Sequence, residues 1–253
     1  MKRILTAIAM FSVAFGAVTP AAWAQDGGNA NPVEAFYCNL RDGKTMEDVM
    51  DVAEDFDDWS DDNDSDYSAW VLTPQFALGA LTPDFIWLGS WTDFKNMGTG
   101  VDTWQEEGGN LTEDFNEVSD CSAGHVLASS IEVSVQGGPP GDGVVVFSQC
   151  SLAEGSDLMS AVKAHKSVSE VMTGRGSKAS SWVFLPLLGI GGVEYDYLSV
   201  LAFDSWTDMG DGLERYINGG GWQKAREMTD GVTSCGNVSP TVWDVKLVRT
   251  GEQ

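Results

Sequence analysis

The chain repeats itself, and that constrains its fold more than any other feature. At an offset of 112 residues, Cys38, Ser68, Trp70, Val71 and Pro74 fall on Cys150, Ser180, Trp182, Val183 and Pro186 in the same order. At an offset of 115, Ser90-Trp91-Thr92-Asp93 falls on Ser205-Trp206-Thr207-Asp208, and at 114, Val118 and Cys121 fall on Val232 and Cys235. Small drifts of offset are what altered loops leave after duplication, so the pattern predicts two copies of one domain, with three residues inserted before the second Ser-Trp-Thr-Asp run. The Gly/Pro-rich stretch 136–143 reads as the linker. The chain then divides into an N-terminal segment 1–24, copy one at 25–138, a joint at 139–143 and copy two at 144–253.

The first segment carries Lys2 and Arg3, an apolar run from Ile4 to Val18, and Ala22-Trp23-Ala24, a small-x-small cleavage signature. It reads as a secretory signal, with the mature chain starting near Gln25. The Ala-rich style points to a bacterial exporter and to the periplasm or the medium. No later stretch holds 18 uninterrupted apolar residues, so no membrane contact is expected after cleavage.

Within copy one, Val33 to Leu40 reads as a strand. Lys44 to Trp59 carries Met46, Val49, Met50, Ala53 and Phe56 at helical spacing, with Thr45 as N-cap and Asp48 three residues on. Tyr67 to Leu78 and Phe85 to Trp91 read as strands around a Gly79/Pro83 turn. A helical stretch starts near Thr92, and a last strand runs from His125 to Val135. Copy two repeats the order with Val144 to Cys150, Ser156 to Met172, Ser181 to Leu188, Tyr197 to Phe203, Thr207 to Met228 and Thr241 to Val248. The fold class is therefore α+β, two tandem βαββαβ ferredoxin-like units. Each unit leaves one sheet face bare, and a tandem pair covers both faces by packing sheet to sheet as an intramolecular α/β barrel.

On this element order, the duplication and the Ser-Trp-Thr-Asp turn, residues 33 to 249 resemble the dimeric α/β-barrel superfamily. That superfamily includes cofactor-independent monooxygenases of the antibiotic-biosynthesis type and stress-responsive barrel proteins. Its haem-degrading members use an Asn on strand one, a Trp on strand three and a His on helix two. Asn39 and Trp91 match two of these positions in copy one. Helix two carries no His in either copy, and Ser151 stands at the Asn position of copy two, so no cofactor is expected.

Four cysteines suit an oxidising compartment. In a βαββαβ sheet the first and last strands are antiparallel neighbours, which pairs Cys38 with Cys121 and Cys150 with Cys235. Closing loops of this length contributes roughly 4 to 5 kcal/mol in the chain-entropy account. With no CxxC and no nearby His pair, no metal set is expected.

The chain holds 14 Lys and Arg against 38 Asp and Glu, a formal charge of −24. Such a surface repels phosphate backbones, so nucleic acid is excluded as a partner. The charge is uneven. Residues 25–143 carry 3 basic against 25 acidic groups, and residues 144–253 carry 9 against 13. The run Glu54 to Asp66 imitates a calcium loop through Asp62, Asp64 and Asp66, but Tyr67 stands where Gly is needed and Thr73 where Glu is needed. It reads as a solvated acidic loop and as a face that a protein partner could use. The matching loop of copy two carries Arg175 and Lys178, an opposite character that either attracts it if the copies meet there or records drift after duplication.

Only two histidines are available as bases. His125 reads as a surface or strand-end residue. His165 falls on the apolar stripe Leu158, Ala161, Val162, Val168 and Met172, where copy one has Ala53. It is the candidate catalytic residue, set against a hydrogen-bonded core histidine. Asn39, Trp70, Trp91, Trp182 and Trp206 are the candidate ligand-binding residues, set against a core role for the repeat-matched tryptophans. Three functions fit: a binder of a small apolar or aromatic molecule in a barrel pocket, a cofactor-independent oxygenase or isomerase using His165, and an acidic interaction module.

Overall fold

Alternation along the first strand sorts its side chains onto two faces. Val33, Ala35 and Tyr37 join one apolar cluster, whereas Phe36 and Cys38 join another. In this computed structural model, residues 30–77, 82–137, 140–189, 191–236 and 238–251 are described. The segment 1–24, expected to be a secretory signal, and Gly79 of the expected turn lie outside them. Copy one runs β1 (Ala30–Leu40), α1 (Met46–Asp62), β2 (Ser68–Phe76), β3 (Phe85–Ser90), α2 (Phe94–Glu107), α3 (Gly109–Val118) and β4 (Ser119–Ser134). Copy two runs β5 (Gly143–Leu152), α4 (Leu158–Gly174), β6 (Ser180–Leu188), β7 (Tyr197–Phe203), α5 (Trp206–Ile217), α6 (Gly221–Thr229), β8 (Thr233–Cys235) and β9 (Thr241–Arg249).

The strands form one antiparallel sheet in the order β7-β6-β4-β1-β3-β2-β9-β5-β8, and a β5–β7 pairing closes it into an eight-position barrel. The copies therefore share more than a covered face: their edges hydrogen-bond directly, β4 to β6 and β2 to β9. Closure leaves those edges no unpaired backbone. The interior mixes both copies, with Val33, Trp70, Leu72 and Ile86 packed against Val145, Phe184, Val200 and Trp243. Eight strands leave just enough room for such side chains. The opposite sheet faces lie under helices, α1 to α3 on copy one and α4 to α6 on copy two.

Register fixes the repeat more sharply than sequence matching does. The Asp84 carboxylate accepts from the Leu40 N–H at 2.8 Å, and Asp196 accepts from Leu152 at 2.7 Å, the same bond displaced by 112 residues. Ser90 pairs with Val33 and Ala202 with Val145, and the next helices start from N-caps Asp93 and Ser205. The offset of 112 thus holds to the helix cap, and the expected three-residue insertion is absent. Trp91 corresponds to Phe203. Trp206 opens α5 and is 40% exposed, whereas Trp91 is 6% exposed, so the Ser-Trp-Thr-Asp runs are alike in letters and not in place.

Four further expectations are corrected. The acidic run from Glu54 is not a loop, because α1 continues to Asp62. The second helix of each copy is broken, at Gly108 and at Asn218 to Gly220, where Gly220 takes φ +76°. The last strand of copy one begins at Ser119, and that of copy two is split into β8 and β9. Arg175 and Lys178 serve copy two itself, donating to the Gly219 carbonyl and pairing with Asp208. The attraction between copies comes instead from Arg249 at the end of β9. It pairs with Asp57 and Asp61 of α1 at 2.8 Å each and also donates to the Tyr67 carbonyl.

The disulfides are Cys38–Cys121 and Cys150–Cys235, each tying the first strand of a copy to its last. Among the described residues no helix is long and apolar enough to cross a membrane.

A half expressed alone would expose both the barrel interior and two strand edges. Residues 25–138 and 143–253, produced separately under oxidising conditions, should aggregate or self-associate in size-exclusion chromatography. Two monomeric halves that unfold cooperatively would contradict the shared barrel.

Candidate functional site

Beneath the helices of copy one, the outward face of β1 carries Glu34, a carboxylate only 9% exposed. Burying it demands donors. Tyr67 O–H donates to Oε1 at 2.7 Å, His125 Nε2 lies 2.8 Å from Oε2, and Trp87 N–H donates to the Tyr67 oxygen at 3.1 Å. Burial first, and then the Glu34 charge, hold the Tyr67 phenol well above its ordinary pKa. Tyr67 is therefore a neutral donor.

Gly89 makes this contact possible. It is the cross-strand partner of Glu34, and a Cβ there would lie 1.7 Å from the Tyr67 hydroxyl. His125 reaches the carboxylate from β4 while its ring stacks on Phe36, centroids 3.8 Å apart. Above this polar floor lies a cavity of about 410 Å³, walled by Phe56, Trp59, Trp87, Trp91, Trp104 and Phe115 and bordered by the Cys38–Cys121 bridge. The rings meet edge to face, as in Phe56–Trp87 at 5.2 Å and Trp59–Trp104 at 5.0 Å.

Copy two is built differently at the same register. Glu34, Tyr67 and Gly89 become Val146, Ala179 and Leu201, so the polar floor is gone. In exchange, Ala53, Phe85 and Ser119 of copy one become His165, Tyr197 and Thr233. His165 Nε2 lies 2.8 Å from Tyr197 Oη, which lies 2.5 Å from Thr233 Oγ1, which lies 3.0 Å from the Ser151 carbonyl. The carbonyl can only accept, so Thr233 donates to it, Tyr197 donates to Thr233, and His165 donates from Nε2. Nδ1 is left with the lone pair. Burial pushes the His165 pKa down to about 4. His165, Thr233 and Ser151 line a cleft of about 1,070 Å³ between α4 to α6 and the sheet, and Tyr197 is buried behind them. Cys150 and Cys235 bring sulfur close to His165, but both sulfurs are spent in the disulfide.

The candidate ligand residues named from sequence are not gathered in one place. Trp91 lines the copy-one cavity and Trp182 the copy-two cleft. Trp70 is buried in the barrel interior and donates to the Pro140 carbonyl. Asn39 is exposed on β1, and Trp206 is exposed on α5 with its N–H on Asp244. A cavity of about 240 Å³ remains inside the barrel, and none of the five lines it. Asp62, Asp64 and Asp66 do not converge on a common ion position among the described residues. Asp66 instead accepts from the Thr92 backbone N–H and from Asn96 at the start of α2. Glu34 and Tyr67 escaped the sequence reading, although their loss in copy two, together with Gly89, was visible at the offset of 112; His125, read as a surface or strand-end residue, is half exposed within β4 and bonds Glu34.

No family model and no curated protein matches the sequence. Solved structures do match the fold. A "putative monooxygenase" from Fusobacterium nucleatum subsp. nucleatum aligns at TM-score 0.54 and 6% identity over 89% of this chain and 96% of that one. A "putative chlorite dismutase" aligns at 0.53 and 11% over 88% and 97%. A mutant chlorite dismutase from Candidatus Nitrospira defluvii aligns at 0.50 and 8% over 87% and 92%. The fold is the tandem dimeric α+β barrel.

Haem is the group that this resemblance brings in, and the residues present do not fit it. Among the described residues the second helices, α2 and α3 in copy one and α5 and α6 in copy two, offer no imidazole. Asn39 and Trp91 sit apart, one exposed and one buried.

The depressed His165 pKa makes a signed prediction. A base held neutral by burial contributes stability fully above its unfolded pKa near 6.5, and that contribution is lost as pH falls toward 4. Urea unfolding at pH 7.5 and pH 4.5 should show the wild type losing about 2 to 3 kcal/mol more than His165→Ala/Tyr197→Phe, the pair already present in copy one. Equal losses would place His165 in contact with water.

Proposed function

We propose that the protein, exported by way of residues 1–24, binds a small aromatic or apolar molecule between the helices and the sheet of copy one. The observation that carries this reading is the ready-made cavity of about 410 Å³ with aromatic walls over a hydrogen-bonded buried carboxylate. Ligand sites are typically of this size, mostly apolar, with few and well-placed polar groups. An apolar space of this kind without an occupant forfeits dispersion contacts, and a ligand restores them. Small-molecule chemistry is also in keeping with the names of the solved neighbours, a chlorite dismutase and a monooxygenase.

A second reading concerns copy two. His165 is held neutral by burial, with Nε2 donating to Tyr197, so its Nδ1 lone pair is suited to accept a hydrogen bond from a donor group of a ligand in the wider cleft. The copy-one cavity is favoured because aromatic rings packed edge to face wall it above a single hydrogen-bonded carboxylate.

Filling either space separates the two. Val101 borders the copy-one cavity and Val168 the copy-two cleft. With 1-naphthylmethanol as probe and tryptophan fluorescence as readout, Val101→Trp should weaken binding by about tenfold or more while Val168→Trp leaves it unchanged. The reverse pattern would move the site to copy two.

A further inference from the structure

The helices that roof the two copies differ in charge as strongly as their floors do. Helices α1, α2 and α3 hold 15 Asp and Glu against one Lys, Lys95. Helices α4, α5 and α6 hold five acidic against five basic residues. The acidic roof thus covers the cavity that has a carboxylate at its floor, and the balanced roof covers the one that has none.

Glu34 is short of positive charge. Among the described residues its only basic contact is His125, whose side chain is 53% exposed, and no Lys or Arg reaches it. Its two oxygens offer about four lone-pair positions, of which Tyr67 and His125 take one each. The carboxylate borders the cavity directly. A cation placed there would gain in two ways. The faces of Trp and Tyr attract positive charge, most strongly where water is excluded. The carboxylate would face a full charge with less screening than in bulk water.

We propose that the copy-one cavity selects an organic cation, an aryl or alkyl ammonium compound whose charged head approaches Glu34 among Tyr67, Trp87 and Trp91. The inference rests on the binding site proposed above and adds the chemical class of its ligand. A predominantly acidic roof also serves entry, since a field of mainly one sign raises the local concentration of counter-charged molecules. Copy two provides the internal contrast: Val146 stands in place of Glu34, Ser199 in place of Trp87, and the roof is balanced.

The test compares three probes on the intact mature protein by calorimetry: (1-naphthylmethyl)trimethylammonium, 1-naphthylmethanol and 1-naphthylacetate. The cation should bind about tenfold or more tightly than the alcohol, and the anion most weakly. Glu34→Gln, which keeps shape and acceptor, should remove most of the cation's advantage and leave the alcohol unchanged. Raising salt from 20 to about 500 mM should slow the cation's association selectively. If the alcohol binds as tightly as the cation, the site stands and the cation proposal falls. If none of the three binds, both fall. The ranking on the unsubstituted protein decides the matter even where Glu34→Gln fails to fold.

Discussion

Closure of the sheet is the constraint on which everything else rests. A βαββαβ unit has two open edges and one uncovered apolar face, and this chain resolves all of them by joining β4 to β6 and β2 to β9. Once the ring is closed, alternate residues of every strand are committed to a shared interior, and the intervening residues must look outward under helices. Two helix-covered spaces, one per copy, are left on the outward faces of the sheet. Arg249 reinforces the arrangement from the last strand, binding α1 and the backbone at Tyr67, so the floor of the copy-one site is braced by copy two.

The two spaces have been elaborated in opposite directions from one template. In copy one, removal of a Cβ at Gly89 admits the Tyr67 phenol, which satisfies the Glu34 carboxylate. In copy two, Leu201 fills that position, and polarity moves one layer toward the helices as His165, Tyr197 and Thr233. Each set is self-consistent in hydrogen bonding. Either set half-installed would destabilise the fold, since a buried polar group without its partner costs on the order of 1 to 3 kcal/mol.

Much of the fold was legible because duplication supplies its own alignment. The strand order, the α1 capping box at Thr45 and Asp48, and both disulfide pairs follow from the repeat together with the geometry of the unit. What misled was similarity of letters where the backbone differs. Ser-Trp-Thr-Asp recurs, yet Trp91 precedes its helix cap by two residues and Trp206 follows its cap, so one is buried and the other is not. The site was less legible, because a buried Glu on a strand reads as an ordinary surface acid. Attention to what matches between copies also hides what differs, and the differences at Glu34, Tyr67 and Gly89 set the two spaces apart.

The central claim is that a ligand occupies the space under α1 to α3, and locating a heavy atom tests it most directly. Crystals of the mature protein soaked with a 4-bromonaphthyl derivative should show an anomalous bromine peak in contact with Trp104 and Phe115, above Glu34. A peak confined to the barrel interior or to the cleft beside His165 would contradict the account.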